Sequence, residues 1–166
     1  MRSAIHRINI LDPYWTRVGI GIAKTSDGDL IVVEEFSTDP LDAASLSAIK
    51  ASIYSEINLR RANSNVTAAT KDPSLENVAE NWSIAMINQN FFDFTAPDGS
   101  SLSTNVQKAV PKNSVQLYIL EASTKNSLIT EIFSSTQATS NAFKTNGVGL
   151  QADSDGILKL TLLLSN

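Results

Sequence analysis

Cysteine is missing from this chain, and histidine occurs once, at His6. The first absence removes disulfides, thiolate metal sites and cysteine nucleophiles. With no second histidine, the serines after Asp98-Gly99 have no nearby general base, so a hydrolytic triad there lacks its central member. Charge is also sparse. Charged residues make up 18%, the net charge is −4, and the 13 lysines and arginines are scattered. That pattern gives no footprint for nucleic acid. No apolar run approaches the length of a membrane span, so membrane insertion is not expected. The opening Met-Arg-Ser-Ala-Ile-His-Arg does not read as a signal peptide. No glycine-rich phosphate loop is present, and no cofactor is expected. What remains is ordinary globular composition, 42% hydrophobic, in 166 residues that allow one real core but hardly two.

The most informative feature is a near-repeat. Val18-Gly-Ile-Gly-Ile-Ala-Lys-Thr-Ser-Asp-Gly-Asp-Leu30 is echoed by Gly147-Val-Gly-Leu-Gln-Ala-Asp-Ser-Asp-Gly-Ile-Leu158. A shift of 128 residues carries Gly19, Gly21, Asp27, Gly28 and Leu30 onto Gly147, Gly149, Asp155, Gly156 and Leu158. Each copy reads as a β-hairpin, 17–24 with 30–36 and 147–152 with 157–164, because Asp-Gly tolerates the positive φ of a tight turn. Asp27 and Asp155 lack the acidic ladder of a calcium loop and are assigned to the turn. The paired glycines within strands point to close backbone approach. In the second copy the outgoing strand ends wholly apolar, as in a sheet covered on both faces.

Between the hairpins the pattern is helical. Asp39-Pro40 supplies a cap and first-turn proline for a helix carrying Leu46, Ile49, Ile53 and Ile57. Asp72-Pro73 starts a second helix with the stripe Leu75, Val78, Ala79, Trp82, Ala85 and Met86, read as core. A polar loop is expected over 62–71, a short helix around Leu102, Val106 and Ala109, a strand over 115–120 and a helix over 127–134. The order predicts an α+β fold with helices packed on an antiparallel sheet.

Several segments resemble the CAP superfamily, which includes the cysteine-rich secretory proteins, and are closest to its cysteine-free bacterial members. They are Ile57-Asn58-Leu59-Arg60-Arg61, Leu75…Ala79…Trp82-Ser83…Met86, the loop Phe91-Phe92-Asp93-Phe94-Thr95-Ala96-Pro97-Asp98-Gly99 and the terminal Gly147 hairpin. The segment from Ser3 to Pro13, Ser-Ala-Ile-His-Arg-Ile-Asn-Ile-Leu-Asp-Pro, is similar to the family segment that precedes that hairpin. The resemblance implies an α-β-α sandwich. It divides the chain into a C-terminal tail of an incomplete copy over 1–37, a linker over 38–44 and a complete but degenerate domain over 45–166.

The family gathers two histidines and two acidic residues in a cleft that can bind a divalent metal. By resemblance, Phe94 stands at the first histidine and Thr139 near the second, and Leu117-Tyr118-Ile119 replaces Glu-Asn-Ile, with Glu121 nearby. Phe and Thr cannot replace imidazole as ligands, so no metal is expected there, and Phe94 is expected to turn the old cleft into packing. Asp93, Phe94, Asp98, Tyr118, Glu121 and Thr139 are the binding candidates around that cleft. His6 matches the second histidine of the incomplete copy and is the one catalytic candidate, with an orphaned, solvated imidazole as the plainer reading.

The expected function is a non-catalytic binding or scaffolding domain of an exported bacterial protein, placed outside the cell or in the periplasm by resemblance. Its ligand could be a small molecule, peptide or glycan. Two alternatives stand. One is a hydrolase of peptides or cell-wall material with His6 in a site completed by an upstream segment or a second chain. The other is a carrier of apolar, lipid-like ligands. The apolar strands of 17–36 need cover, which makes self-association through that hairpin an expectation.

Overall fold

A computed structural model describes residue 7 and residues 10–11, 15–37, 41–111 and 114–166. The chain divides into two compact units, residues 1–40 and 41–166.

In the first unit, β1 (Arg17–Lys24) pairs antiparallel with β2 (Leu30–Ser37) as a two-stranded sheet. All sixteen strand residues except Phe36 are exposed. The turn places Gly28 at φ +92°, where a β-carbon is disfavoured. The Trp15 and Phe36 rings lie 6.5 Å apart on one side.

The second unit is a layered α+β fold. Its elements run α1 (Ala43–Asn63), β3 (Thr70–Lys71), α2 (Pro73–Asn88), α3 (Leu102–Ala109), β4 (Val115–Ala122), α4 (Lys125–Ser135), β5 (Thr145–Ala152) and β6 (Leu158–Ser165). The sheet order is β3-β5-β6-β4, antiparallel except for the β3–β5 pair. Asp39 and Pro40 lie outside the described residues. The observed cap of α1 is Asp42, whose carboxylate accepts from Ser45 N at 2.7 Å. The Asp72 carboxylate caps α2 from Ser74 and Leu75, with Pro73 in the first turn, as the sequence predicts. The polar stretch before it contains the two-residue strand β3, too short to show any periodicity.

The sheet is covered on both faces. Against one face, α1 and α4 bring Ile53, Tyr54, Ile57, Leu128 and Ile132 onto Val148, Leu150, Leu158, Leu160, Leu162 and Leu164. Against the other, α2 and α3 bring Leu75, Ala79, Trp82, Met86, Leu102 and Val106 onto Leu163, Leu117 and Ile119. β6 is therefore buried along its whole length. Each leucine there contributes about 1.5–3 kcal/mol of apolar burial.

Two details set the spacing between layers. A β-carbon on Gly147 would stand 2.5 Å from Glu76 N and 2.7 Å from Leu75 Cβ, and one on Gly149 would overlap the backbone of Ala79 and Glu80. The glycines thus let α2 lie directly on β5. Arg61, only 1% exposed, fans its guanidinium onto the carbonyls of Thr67, Ala138, Ser140 and Phe143 at 2.8–3.0 Å. Burial pulls its pKa down, and the four acceptors compensate the charge without a carboxylate.

Candidate functional site

The candidates around the family cleft fall into separate groups. Asp93, Phe94 and Asp98 lie on the loop between α2 and α3. Trp82 Nε1 donates to Asp93 O at 3.1 Å, and Leu102 N donates to Phe94 O at 3.0 Å. The Asp93 carboxylate accepts from Thr95 N at 3.1 Å, and that of Asp98 from Ser100 N at 2.8 Å. Hydrogen bonds from Ser100 hold the Asp98 carboxyl below its ordinary range. Both acids thus shape the turn that carries them.

Phe94 does not fill a core. It is 41% exposed, as is Phe92, so the expected conversion of the cleft to packing is corrected: two aromatic rings face solvent. The reason is local. The backbone around Phe94 is spent on the Thr95–Ser101 bridge and the Leu102 bond, while Trp82, Ala96 and Leu102 already occupy the space beneath. Lys159, across from Glu121 in the β4–β6 register, donates to Phe91 O at 3.4 Å and places its ammonium 5.9 Å from the centre of the Phe92 ring.

Tyr118 packs toward the opposite helical layer. Its hydroxyl donates to Gln116 Oε1 at 2.7 Å and accepts from Gln137 N at 3.3 Å. Thr139, half-buried, follows in the same loop, which is held through Ala138 and Ser140 by Arg61. Glu121 is exposed and shares the α2–α3 side of β4 with Leu117 and Ile119. His6 lies outside the described residues. Among the described residues no three of His, Cys, Asp and Glu come close enough to share a metal ion. Neither Phe94 nor Thr139 offers an imidazole nitrogen to a metal.

A second constellation lies at the other edge of the sheet, where no sequence expectation points. Beyond its two-residue pairing with β3, β5 has no neighbouring strand on that side among the described residues, and helical side chains take its N–H groups there. Tyr54 Oη accepts from Val148 N at 2.9 Å, and Glu80 Oε2 from Leu150 N at 3.4 Å. Glu80 also accepts from Gln151 Nε2 at 2.8 Å and pairs with Lys50 at 3.2 Å; Lys50 reaches Glu76 at 3.4 Å. Lys71 stands over the Tyr54 ring at 4.1 Å. Burial, with Glu76 and Glu80 nearby, pushes the Tyr54 hydroxyl far above its usual pKa. A cleft of about 400 Å³ opens here, its apolar wall formed by Leu41, Leu46, Leu150 and Ala152 and its polar end by Lys50, Glu80 and Gln151. Its polar groups satisfy one another, so the geometry is that of a capped sheet edge. None of the six candidates lines it. The contacts join residues 17 to 94 positions apart, and no sequence spacing announces them.

This layered domain has known counterparts. The model of the cysteine-rich secretory protein family (CAP) matches residues 54–161, and the chain belongs to that family. The structure is similar to an outer surface protein of Borrelia burgdorferi, with TM-score 0.63 and 17% identity over 72% of this chain and 92% of that one. It is also similar to an SCP-domain extracellular protein of Bacillus anthracis, with TM-score 0.59 and 15% identity over 84% of this chain and 47% of that one. For a cysteine-rich secretory protein of Staphylococcus aureus the TM-score is 0.57 and the identity 11%, over 89% of this chain and 56% of that one. The chain thus spans about half the length of the last two. At these identities the likeness is one of fold. No curated protein matches the sequence significantly.

Proposed function

We propose that residues 41–166 are a non-catalytic CAP domain that binds or scaffolds, in a protein working at the cell surface, outside the cell or in the periplasm. The observation that carries this reading is the Phe92–Phe94 loop. At the position the resemblance assigns to a metal-binding imidazole, the chain presents the exposed Phe94, with the exposed Phe92 two residues before it beside the Lys159 ammonium. Exposed aromatics on a fixed loop suit contact with a ligand or partner rather than proton transfer. The loop acids support the reading, since Asp93 and Asp98 are engaged in their own turns. The compartment is supported by the structural neighbours, an outer surface protein and an extracellular protein. No helix among the described residues is long and apolar enough to cross a membrane.

The test is a zinc titration of the whole chain, followed by calorimetry and thermal unfolding. Heats indistinguishable from dilution and an unmoved Tm are expected. Stoichiometric, saturable binding that raises Tm, with metal-dependent hydrolysis abolished by His6→Ala, would replace this reading with the hydrolase.

A further inference from the structure

We infer that the glycine-bearing face of the β1–β2 hairpin is a docking surface for an α-helix of the α2 type, supplied from outside residues 1–40. This does not rest on the proposed function.

The two hairpins are the same object. Every register pair of β1–β2, shifted by 128, is a register pair of β5–β6: Gly19 faces Glu35 as Gly147 faces Leu163, and Gly21 faces Val33 as Gly149 faces Thr161. The backbone bonds that close the turns agree. Thr25 N donates to Asp29 O at 2.8 Å and Asp153 N to Ile157 O at 3.0 Å; Gly28 N reaches Thr25 O, and Gly156 N reaches Asp153 O, both at 3.1 Å. The side chains of Thr25 and Asp153 even accept from the same relative amide, at 3.0 and 2.8 Å.

In the second hairpin the glycines have a visible use, because the α2 backbone occupies the space their β-carbons would take. In the first, a β-carbon on Gly21 would meet nothing within 4 Å, and one on Gly19 only Glu35 O at 3.9 Å. Glycine within a strand weakens it unless another backbone comes close. The face around these glycines, formed by Ala23, Ile31, Val33 and Glu35, is exposed, and a bare two-stranded ribbon is marginal in water.

The substitutions between the copies state the chemistry of the occupant. Val33 replaces Thr161, whose hydroxyl bonds Ser83 of α2 at 3.0 Å. Ile31 replaces Lys159, and Glu35 replaces the buried Leu163. A helix fitting this face keeps the small residue of Ala79, carries an apolar small residue where α2 has Ser83, and offers a lysine or arginine to Glu35.

The test uses the full chain, isotopically labelled, and a peptide with the sequence of residues 72–89, stapled across positions 77 and 81 to hold it helical. Both positions lie on the outer side of α2, where Asn81 Nδ2 donates to Asn77 Oδ1 at 3.1 Å. Saturable shifts confined to amides of 17–37 are expected, with a Ser83→Ala peptide binding more tightly than the parent. Gly21→Val in the protein is expected to weaken binding about tenfold or more. Ile22→Ser, on the opposite face, should leave it unchanged. Gly21→Val fits the bare strand without conflict, so its effect reads docking rather than folding. No saturable shift with either peptide up to about 1 mM would overturn the inference. So would equal affinity for the Gly21→Val chain, or loss through Ile22→Ser alone.

Discussion

The β1–β2 and β5–β6 hairpins have one register and one turn, yet one is exposed almost throughout and the other almost wholly buried. The contrast separates what a hairpin owes to itself from what it owes to its surroundings. Register and turn follow from alternation and from a glycine at positive φ, +92° in one copy and +80° in the other, and they are the same in both copies. Burial, and with it the meaning of the paired glycines, comes from α2.

Filling the glycines breaks the likeness most sharply. Gly149→Val drives a side chain into the α2 backbone and is expected to destabilise residues 41–166 by about 3 kcal/mol or more. Gly21→Val should stay within about 0.5 kcal/mol, since nothing stands near it. Urea unfolding of both variants checks this, and similar costs would mean that the two glycine pairs are equivalent after all. Arg61→Met removes the donor shared by the Thr67 carbonyl and three carbonyls of the loop that leads into β5. A loss of about 3 kcal/mol is expected from the same unfolding curves.

Tyr54→Phe, which leaves Val148 N without its acceptor, is expected to cost about 1–2 kcal/mol. It also carries a pH signature. The folded-state pKa of Tyr54 is raised above the ordinary 10.0, so its contribution is complete below that pH. As the pH rises further the unfolded chain loses the proton first, and stability falls. Melting curves from about pH 9 to about pH 12 should show that fall in the parent and a shallower one in Tyr54→Phe. A milder loss sharpens the likeness instead: Gly28→Ala and Gly156→Ala should each cost about 1 kcal/mol, the penalty for a side chain at positive φ. Amide exchange of each hairpin measures it, and unequal losses would show that the turns are not locally determined.

Much of this fold is legible in the sequence because its signals are local. The Asp72-Pro73 cap and the stripe from Leu75 to Met86 place α2, and Asp-Gly places both turns. The start of α1 is harder to read because Asp39-Pro40 and Asp42 offer similar caps three residues apart, and only the Ser45 bond marks the one in use. Phe94 misleads because hydrophobicity reports a preference for burial without showing that space exists; the space beneath its loop belongs to Trp82, Ala96 and Leu102. The Tyr54–Glu80 edge cap is illegible, since it depends on two helices meeting one strand across the fold.

The agreement of the two registers also bears on how the second unit assembles in time. A strand pair that keeps its alignment when uncovered needs no helix to choose that alignment. Hairpin closure is a microsecond event between near neighbours, whereas the Arg61 contacts to Ala138, Ser140 and Phe143 close loops of 77 to 82 residues. The β5–β6 ribbon can therefore serve as the template on which α1 and α2 condense. Substitutions in its turn should slow folding, while those at Arg61 should mainly quicken unfolding.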